Sequence, residues 1–273
     1  MLFNIKGGFS RGGAITEDSF SFTGNYLFAR DEDGNWELAL LESGTLNWLK
    51  TPGFVDMCLV GAGQNGGTGQ VTGNYKGAYV YSGKGGDGGR ILNVPGAELV
   101  GSCVIAVGSN GNETTIDNGE NSWSSENGPA PKEGGRRAEM PQQYTTVGIA
   151  NDSGKDGIFA YGAVSDETLI PALNGVLLGA SGGGGHARSV ANIVDPKYQV
   201  EVEVYTWTSE KGGKNAGGNT GAGNGGTNDH RNGYDATGYG AGGGGGFADG
   251  KTQVGSSGGA GGNGILLIRN RRN

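Results

Sequence analysis

The sequence predicts an all-β, partly irregular protein. Short β-strands alternate with glycine-rich segments that form a bundle or sandwich of polyglycine-II-type helices. Three observations support this prediction: a very high glycine content, apolar runs of strand length, and a three-residue period in the glycine tracts. Helical periodicity, with apolar residues every three to four positions, is missing from nearly the whole chain.

Glycine accounts for 61 of the 273 residues, about three times its ordinary share of roughly 7%. Only 34% of the residues are hydrophobic, which is little for a layered core in a chain of this length. Contacts other than side-chain burial are therefore expected to hold a large part of the fold together.

Strands are predicted where short apolar or alternating runs are bounded by turn residues. Val200–Trp207 alternates strictly between valine and polar residues, as in a half-exposed strand. Glu167–Leu178 is the only stretch with helical character, and Pro171 and Gly175 weaken that prediction. The other candidate strands are Ser19–Ala29, Trp36–Leu41, Thr45–Leu49, Phe54–Val60, Arg90–Val94, Ser102–Val107 and Ile265–Ile268.

The glycine tracts repeat every three residues. In Gly255–Gly264 every third residue from Gly255 onward is glycine, and Gly259 and Gly262 fall in a second column. Three residues per turn is the period of the extended polyproline-II-type helix, whose backbone makes no internal hydrogen bonds. In Gly83–Arg90 two columns are again glycine, and the third column holds Lys84, Asp87 and Arg90.

Glycine on two of three helix faces lets neighbouring helices approach until their backbone N–H and C=O groups bond each other, which pairs the buried groups. A flexible linker is the alternative, because ordering each residue costs about 1–2 kcal/mol. Hydrogen bonds of about 0.5–1.5 kcal/mol each offset that cost only when several tracts pack together. Five candidate tracts each adjoin a strand or another tract, which favours the bundle: 61–69, 83–89, 182–185, 212–226 and 238–264.

The formal net charge of −7 and the pI near 4.9 argue against a globally basic nucleic-acid binder. The arginines at 269, 271 and 272 are interpreted as a solvated basic terminus. Cys58 and Cys103 lie in apolar runs and are predicted to be buried free thiols. No run approaches the roughly 18 apolar residues of a membrane helix, and the N-terminus lacks a signal-peptide pattern. We therefore expect a soluble protein made in a cytoplasm.

Catalytic and cofactor motifs find little support. Gly61–Gly66 fits the G-x-G-x-x-G fingerprint, but Gly67–Gly73 cannot form the helix on which a pyrophosphate would sit. His186 and His230 have no identifiable nucleophile partner, and their spacing with Asp229 does not favour a metal site. We expect surface histidines, no cofactor, no metal and no enzyme. The acidic pairs are more simply a turn and a solvated strand face than glycosidase carboxylates: Asp31 with Asp33, and Glu201 with Glu203.

Three landmarks occur in a fixed order along the chain. Leu40–Gly63 (LLESGTLNWLKTPGFVDMCLVGAG) joins two strands to a glycine tract, Val104–Gly111 (VIAVGSNG) closes a strand on a valine-glycine pair, and Gly258–Arg269 (GGAGGNGILLIR) joins a glycine tract to an apolar strand. Together they resemble the glycine-rich domains of phage tail and tail-fibre proteins. The resemblance implies a polyglycine sandwich that presents variable loops to a host surface.

On this resemblance, residues 1–49 are expected to form a β-rich segment for virion attachment or oligomerisation, and residues 50–273 the glycine-rich domain. Insertions at about 112–178 and 186–211 depart from the family pattern and leave the layout of the scaffold open. The implied location is the virion. The implied partners are other tail, baseplate or capsid proteins, a host-surface glycan or protein, and further copies of the chain in a homo-oligomer, a trimer by family analogy. Nucleic acid and membrane insertion are not expected.

Aromatic residues in loops are the candidate receptor contacts, because they stack on sugars or anchor a protein partner. Packing against the edges of the glycine helices explains the same residues equally well. The alternatives to adhesion are a purely structural decoration protein, a tail-associated polysaccharide depolymerase and an ice-binding protein. The charged side chains in the third column of Gly83–Arg90 disfavour ice binding, which needs a flat, weakly polar face. The candidate contacts are Trp123, Tyr234, Tyr239 and Phe247, with Tyr144 and Tyr161 as further loop aromatics.

Overall fold

The computed structural model describes residues 15–73, 79–140, 149–165, 168–194, 199–204 and 221–270. Within these ranges the regular structure is almost entirely β, and the pairing is mostly antiparallel, which confirms the all-β prediction. Four single-turn 3₁₀ helices span Glu17–Ser19, Ser125–Asn127, Ala160–Gly162 and Pro171–Leu173. The strands are β1 Phe20–Phe22, β2 Tyr26–Arg30, β3 Trp36–Leu40, β4 Gly44–Trp48, β5 Phe54–Val60, β6 Gln70–Thr72, β7 Tyr79–Tyr81, β8 Ile91–Glu98, β9 Ser102–Ala106, β10 Thr115–Asp117, β11 Ser122–Ser124, β12 Glu139–Met140, β13 Ala187–Val194, β14 Gln199–Val204, β15 Ala248–Asp249, β16 Val254–Gly255 and β17 Ile265–Asn270.

Two five-stranded antiparallel sheets form a sandwich. One sheet has the order β2-β3-β17-β5-β8, and the other has the order β1-β4-β9-β10-β11. Leu38, Leu59 and Leu266 of the first sheet share one buried cluster with Leu46 and Ile105 of the second. Burial of these apolar side chains between the sheets gives the sandwich a conventional core.

The last strand of the chain lies in the middle of the first sheet. Strand β17 pairs with β3 on one side and with β5 on the other. Strands before and after residue 49, the predicted boundary between the N-terminal segment and the glycine-rich domain, therefore lie in the same two sheets and share one core.

The outer face of the first sheet is covered by residues from the predicted insertion at 112–178. Ile170, Leu173 and Leu178 pack against Cys58 and Leu267 of the sheet. This explains why β17 is apolar on both faces. The weak helical pattern predicted at 167–178 yields only the single 3₁₀ turn at 171–173, as the proline and glycine within it suggest.

Both cysteines are free and fully buried, which confirms the prediction from their apolar surroundings. Burial raises the pKa of Cys58 to about 12 and that of Cys103 to about 11. Because only the thiolate reacts, neither thiol is expected to react with a disulfide reagent at pH 8 in the folded protein. In denaturant both should react. Rapid labelling of either thiol under native conditions would contradict their placement in the core.

The glycine-rich segments lie side by side and bond each other through their backbones. Residues 240–248 form the central segment, and the seven successive N–H groups of 242–248 donate to other segments over N···O distances of 2.8–3.0 Å. Every third N–H donates to the same neighbour. Gly242, Gly245 and Ala248 donate to Ala180, Gly183 and His186; Gly243 and Gly246 donate to Gln64 and Gly67; Gly244 and Phe247 donate to Tyr234 and Arg231.

The carbonyl groups of the central segment accept bonds with the same period. Those of Gly242 and Gly245 accept from 221–226, those of Gly243 and Gly246 accept from 83–89, and those of Gly244 and Phe247 accept from 255–264. Donors and acceptors thus point to different neighbours. Six segments surround the central one: 61–69, 83–89, 179–186, 221–226, 231–236 and 255–264. We call this assembly the glycine body.

Glycine is required here because the backbones approach too closely for a side chain. A Cβ atom built on Gly243 would lie 2.1 Å from the carbonyl oxygen of Gly259, and one on Gly245 would lie 2.0 Å from that of Gly83. Both distances are far shorter than the van der Waals contact distance between a carbon atom and an oxygen atom. Of the predicted tract 212–226, residues 212–220 lie outside the described residues.

A buried threonine joins the glycine body to the sandwich. The hydroxyl of Thr114 donates to the carbonyl of Val60, the last residue of β5, over 2.6 Å and accepts from the N–H of Gly108. The carbonyl of Gly108 in turn accepts from Gly264, just before β17. The positions where strands enter and leave the glycine body are thereby held together.

Candidate functional site

The central segment runs from Gly240, which contacts Val60 of the sandwich, to Ala248 at the opposite end of the glycine body. Hydrogen bonds place His186, Gly226 and Ser256 at the level of Phe247 and Ala248. We call this end, away from the sandwich, the outer end. The described residues that extend from the body there are 70–73, 79–82, 139–140, 149, 187–194, 199–204, 227–230 and 249–254.

Two small sheets lie at the outer end. One has the order β12-β7-β6, and the other has the order β14-β13-β15-β16. Strand β14 overlaps the predicted strand Val200–Trp207 at residues 200–204 and pairs antiparallel with β13. The outer end therefore combines short strands with turns, which suits it to present side chains on a fixed support.

The turn at 227–234 presents a stacked pair of exposed rings. The N–H of Thr227 donates to the carbonyl of His230 over 2.7 Å, and the N–H of His230 donates to the Thr227 hydroxyl over 2.9 Å. The His230 ring stacks on Tyr234 with ring centroids 4.0 Å apart and planes 20° apart. Tyr234 is 41% exposed, and His230 is exposed, as predicted for a surface histidine.

A buried carboxylate fixes the neighbouring turn. Asp249, which is fully buried, accepts two hydrogen bonds from the Arg188 guanidinium, at 2.9 and 2.6 Å, and one from the Thr252 hydroxyl at 2.8 Å. The Arg231 guanidinium lies 3.8 Å from the same carboxylate and faces the ring of Phe247. Arg231 thus ties the turn at 227–234 to the end of the central segment.

Burial by itself would raise the pKa of Asp249, but hydrogen bonds from Arg188, Thr252 and the Lys251 N–H outweigh it and hold the pKa below its usual value. A depressed folded-state pKa adds stability that is complete above the unfolded-state pKa of about 3.9 and is lost as pH falls through the folded-state value. Asp249→Asn is expected to lower the free energy of unfolding by about 2 kcal/mol at pH 7. Urea unfolding at pH 7 and pH 3 should show a smaller difference at pH 3. An equal difference at both pH values would contradict the ionic role.

The structure does not bring the four candidate contacts together. Phe247 is fully buried and stacks on His186 with centroids 5.5 Å apart, so its prediction as a receptor contact is wrong. Its ring lies between His186 and Arg231 at the end of the glycine body. His186 is also buried, so the prediction of a surface histidine is wrong there; its burial, with Arg188 nearby, lowers the pKa of the imidazole.

Two other candidates lie far from the outer end. Tyr239 is half-buried at the sandwich end, where its burial raises the pKa of the phenol. Trp123 lies on β11, partly buried against the sandwich core. Both side chains are partly buried and pack against other residues of this chain. Tyr161 is partly buried against the outer face of the first sheet, and Tyr144 lies outside the described residues.

Sequence reasoning missed one aromatic group at the outer end. Tyr79 and Tyr81 of β7 stack with centroids 6.3 Å apart and planes 6° apart, and the Arg137 guanidinium lies 4.7 Å from the Tyr81 centroid. Arg137 also donates to Glu139 over 2.9 Å. The alternation Tyr-Val-Tyr was the available signal, but three residues beside a glycine tract are too few to predict a strand.

The G-x-G-x-x-G motif at Gly61–Gly66 makes backbone hydrogen bonds within the protein. The N–H groups of Gly61, Gly63 and Gly66 donate to the carbonyls of Arg90, Gly262 and Gly259, so they do not point at a phosphate site.

Among the residues whose placement is given, no cluster of three or more histidine, cysteine or acidic side chains is arranged to hold a metal. In the same part of the chain, no helix has the length and apolar character to cross a membrane.

No protein-family model matches the chain, and no curated protein sequence matches it significantly. The resemblance to glycine-rich phage tail domains therefore stays a prediction that depends on the three landmarks.

Proposed function

We propose that this protein is a structural component of a phage tail or tail fibre. In this proposal its glycine body is a sandwich of polyglycine-II helices, and the outer end contacts the host surface. The single observation that supports the proposal most is the three-residue period with which the central segment changes its hydrogen-bonding partner. A strand would change partner with a period of two, whereas three residues per turn is the period of polyglycine II.

The surroundings of the central segment support the same conformation. Three neighbours accept its N–H groups, and three others donate to its carbonyls. A three-fold extended helix projects N–H and C=O groups outward in this way, and each helix then contacts six others in hexagonal packing. Backbone hydrogen bonds satisfy every such group without a side-chain core.

This architecture suits a stiff spacer. Nine residues of the central segment span roughly 28 Å at about 3.1 Å per residue. The spacer lacks long side chains in its interior, and close backbone contacts leave it little room to bend. It separates the sandwich from the outer end, where His230 and Tyr234 are exposed. The sandwich lies at the opposite end of the glycine body, and in this proposal it attaches the protein to the particle.

The proposal predicts that the protein is found on particles with its outer end pointing away. Immunogold electron microscopy of purified virions, with one antibody against 227–234 and another against the β2–β3 hairpin, measures this directly. The label for 227–234 should lie farther from the particle. Absence of both labels from intact particles would overturn the virion assignment.

Host contact is tested separately with purified protein. The chain is expected to compete with phage for adsorption to host cells, and a variant with 227–234 replaced by a glycine-serine segment should compete less well. If both proteins are found on particles but neither the original chain nor the 227–234 variant competes with phage, the protein is a decoration protein without receptor binding. Release of oligosaccharide from host polysaccharide would instead favour a depolymerase.

A further inference from the structure

We propose that the outward face of the sheet β12-β7-β6 binds an uncharged sugar residue. The proposal deepens the proposed function, because it names the ligand class of one surface at the outer end. We call this surface the tyrosine face; it consists of Gln70, Thr72, Tyr79, Tyr81, Arg137 and Glu139.

The strand register places these residues on one side. Tyr79 is directly opposite Thr72, and Tyr81 is directly opposite both Gln70 and Glu139. Directly opposite residues in a sheet share a face. Val80, between the two tyrosines, points the other way and is fully buried.

The opposite side of the sheet supplies its packing. Val80, Met140 and Ala138 form a buried cluster with Ala187 and Ala248 at the end of the glycine body. The sheet is therefore held to the body by its inner side. The two tyrosine side chains take no part in this buried cluster, and Tyr79 is 41% exposed to solvent.

Contacts within the protein position the rings of the tyrosine face in the absence of a ligand. Tyr79 and Tyr81 are nearly parallel, at 6° between planes, and the Arg137 guanidinium contacts the Tyr81 ring. Glu139 holds the guanidinium over 2.9 Å. Preorganised rings lose little rotamer entropy on binding, which favours affinity.

The chemistry of the face matches a sugar. A pyranose has a face of C–H bonds that stacks on an aromatic ring and a rim of hydroxyls that both donate and accept hydrogen bonds. The tyrosine rings supply the apolar surface and phenol groups. The amide of Gln70, the hydroxyl of Thr72 and the carboxylate of Glu139 supply donors and acceptors beside the rings.

The charges favour a neutral ligand. Arg137 and Glu139 neutralise each other as an ion pair at 2.9 Å. Among the six residues of the tyrosine face no positive charge is left over for a phosphate or a carboxylate, and an anionic sugar would have to displace Glu139. A neutral hexose or N-acetylhexosamine needs no such exchange.

The test measures binding of the full chain to an array of neutral and acidic glycans, followed by titration of the strongest neutral ligand. Tyr79→Ala and Tyr81→Ala are each expected to weaken binding at least tenfold. Tyr79→Phe keeps the ring and should stay within about threefold of the original affinity. Phe54→Ala is the matched control, because Phe54 is also an exposed aromatic residue, at 58%, but lies on β5 of the sandwich. Tyr234→Ala tests the turn at 227–234 as the alternative site.

Folding of each variant is checked by its thermal unfolding midpoint. Binding lost in Tyr234→Ala but kept in Tyr79→Ala and Tyr81→Ala would overturn the tyrosine face as the site. Binding of acidic glycans only, or of no glycan at all, would also overturn it. None of these results affects the proposed place of the protein on the virion, which the labelling of particles tests separately.

Discussion

Gly66→Ala is expected to destabilise the protein by about 3 kcal/mol, the upper part of the range for overpacked interiors. A Cβ atom on Gly66 would lie 1.9 Å from the carbonyl oxygen of Gly244 and 2.4 Å from its carbonyl carbon. Gly244 cannot retreat, because its own N–H and C=O are bonded to Tyr234 and Gly259. Relief of the clash must therefore break backbone hydrogen bonds in the centre of the glycine body.

The adjacent glycine provides a matched control. A Cβ atom on Gly67 would meet nothing closer than the Lys84 nitrogen at 3.1 Å, a contact that a small shift relieves. Alanine there also reduces the entropy of the unfolded chain by about 0.4–1 kcal/mol. Urea unfolding is therefore expected to place Gly67→Ala within about 1 kcal/mol of the original protein. Equal losses for the two substitutions would show that the segments do not approach as closely as described.

Glu37→Ala is expected to cost about 3 kcal/mol or more. The carboxylate of Glu37 is fully buried within β3 and accepts hydrogen bonds from the Tyr161 hydroxyl, the Thr168 hydroxyl and the Leu169 N–H, at 3.0, 2.8 and 2.7 Å. Each buried donor that loses its acceptor costs about 1–3 kcal/mol. Arg269 of β17 covers the Tyr161 ring with its guanidinium 3.9 Å from the centroid. The substitution therefore detaches residues 158–178 from the sheet they cover.

Glu42→Ala is the control for this prediction. Glu42 also accepts two hydrogen bonds, both from Asn25, but it is exposed, so its loss should cost less than about 1 kcal/mol. Urea unfolding measures both variants. Limited proteolysis of the Glu37 variant should also cut within 158–178 before it cuts the sandwich. If Glu37→Ala lowers the free energy of unfolding no more than Glu42→Ala does, the Glu37 carboxylate does not hold residues 158–178 to the sheet.

The buried strands were predictable because their sequences are apolar on both faces. Phe54–Val60 corresponds to β5, and Ile265–Ile268 is the start of β17. The packing of Ile170, Leu173 and Leu178 over these strands was not predicted. The sequence feature that indicates it is Glu37, a single acidic residue inside the apolar run Trp36–Leu41, because a buried carboxylate requires a polar partner from elsewhere in the chain. Likewise, Arg269 was expected to be solvated, but it is buried beside Tyr161.

The candidate contacts were harder to predict for a physical reason. A glycine tract reveals its period but not which of its neighbours will cover it, because hydrogen bonds between backbones carry no side-chain signature. Phe247 and Tyr239 both border glycine tracts, yet one closes the outer end and the other packs near the sandwich. Tyr79 and Tyr81 gain their shared face only from pairing with β6 and β12, which are three and two residues long.

The central claim is that glycine segments are held by backbone hydrogen bonds to one another in place of a side-chain core. Amide hydrogen exchange of Gly242–Phe247, compared with Leu266–Ile268 of β17, tests it most directly. The account predicts that both sets exchange slowly and with similar protection, since all six N–H groups of 242–247 are bonded to neighbouring segments. Exchange of 242–247 at the rate of an unstructured peptide, while β17 stays protected, would contradict it.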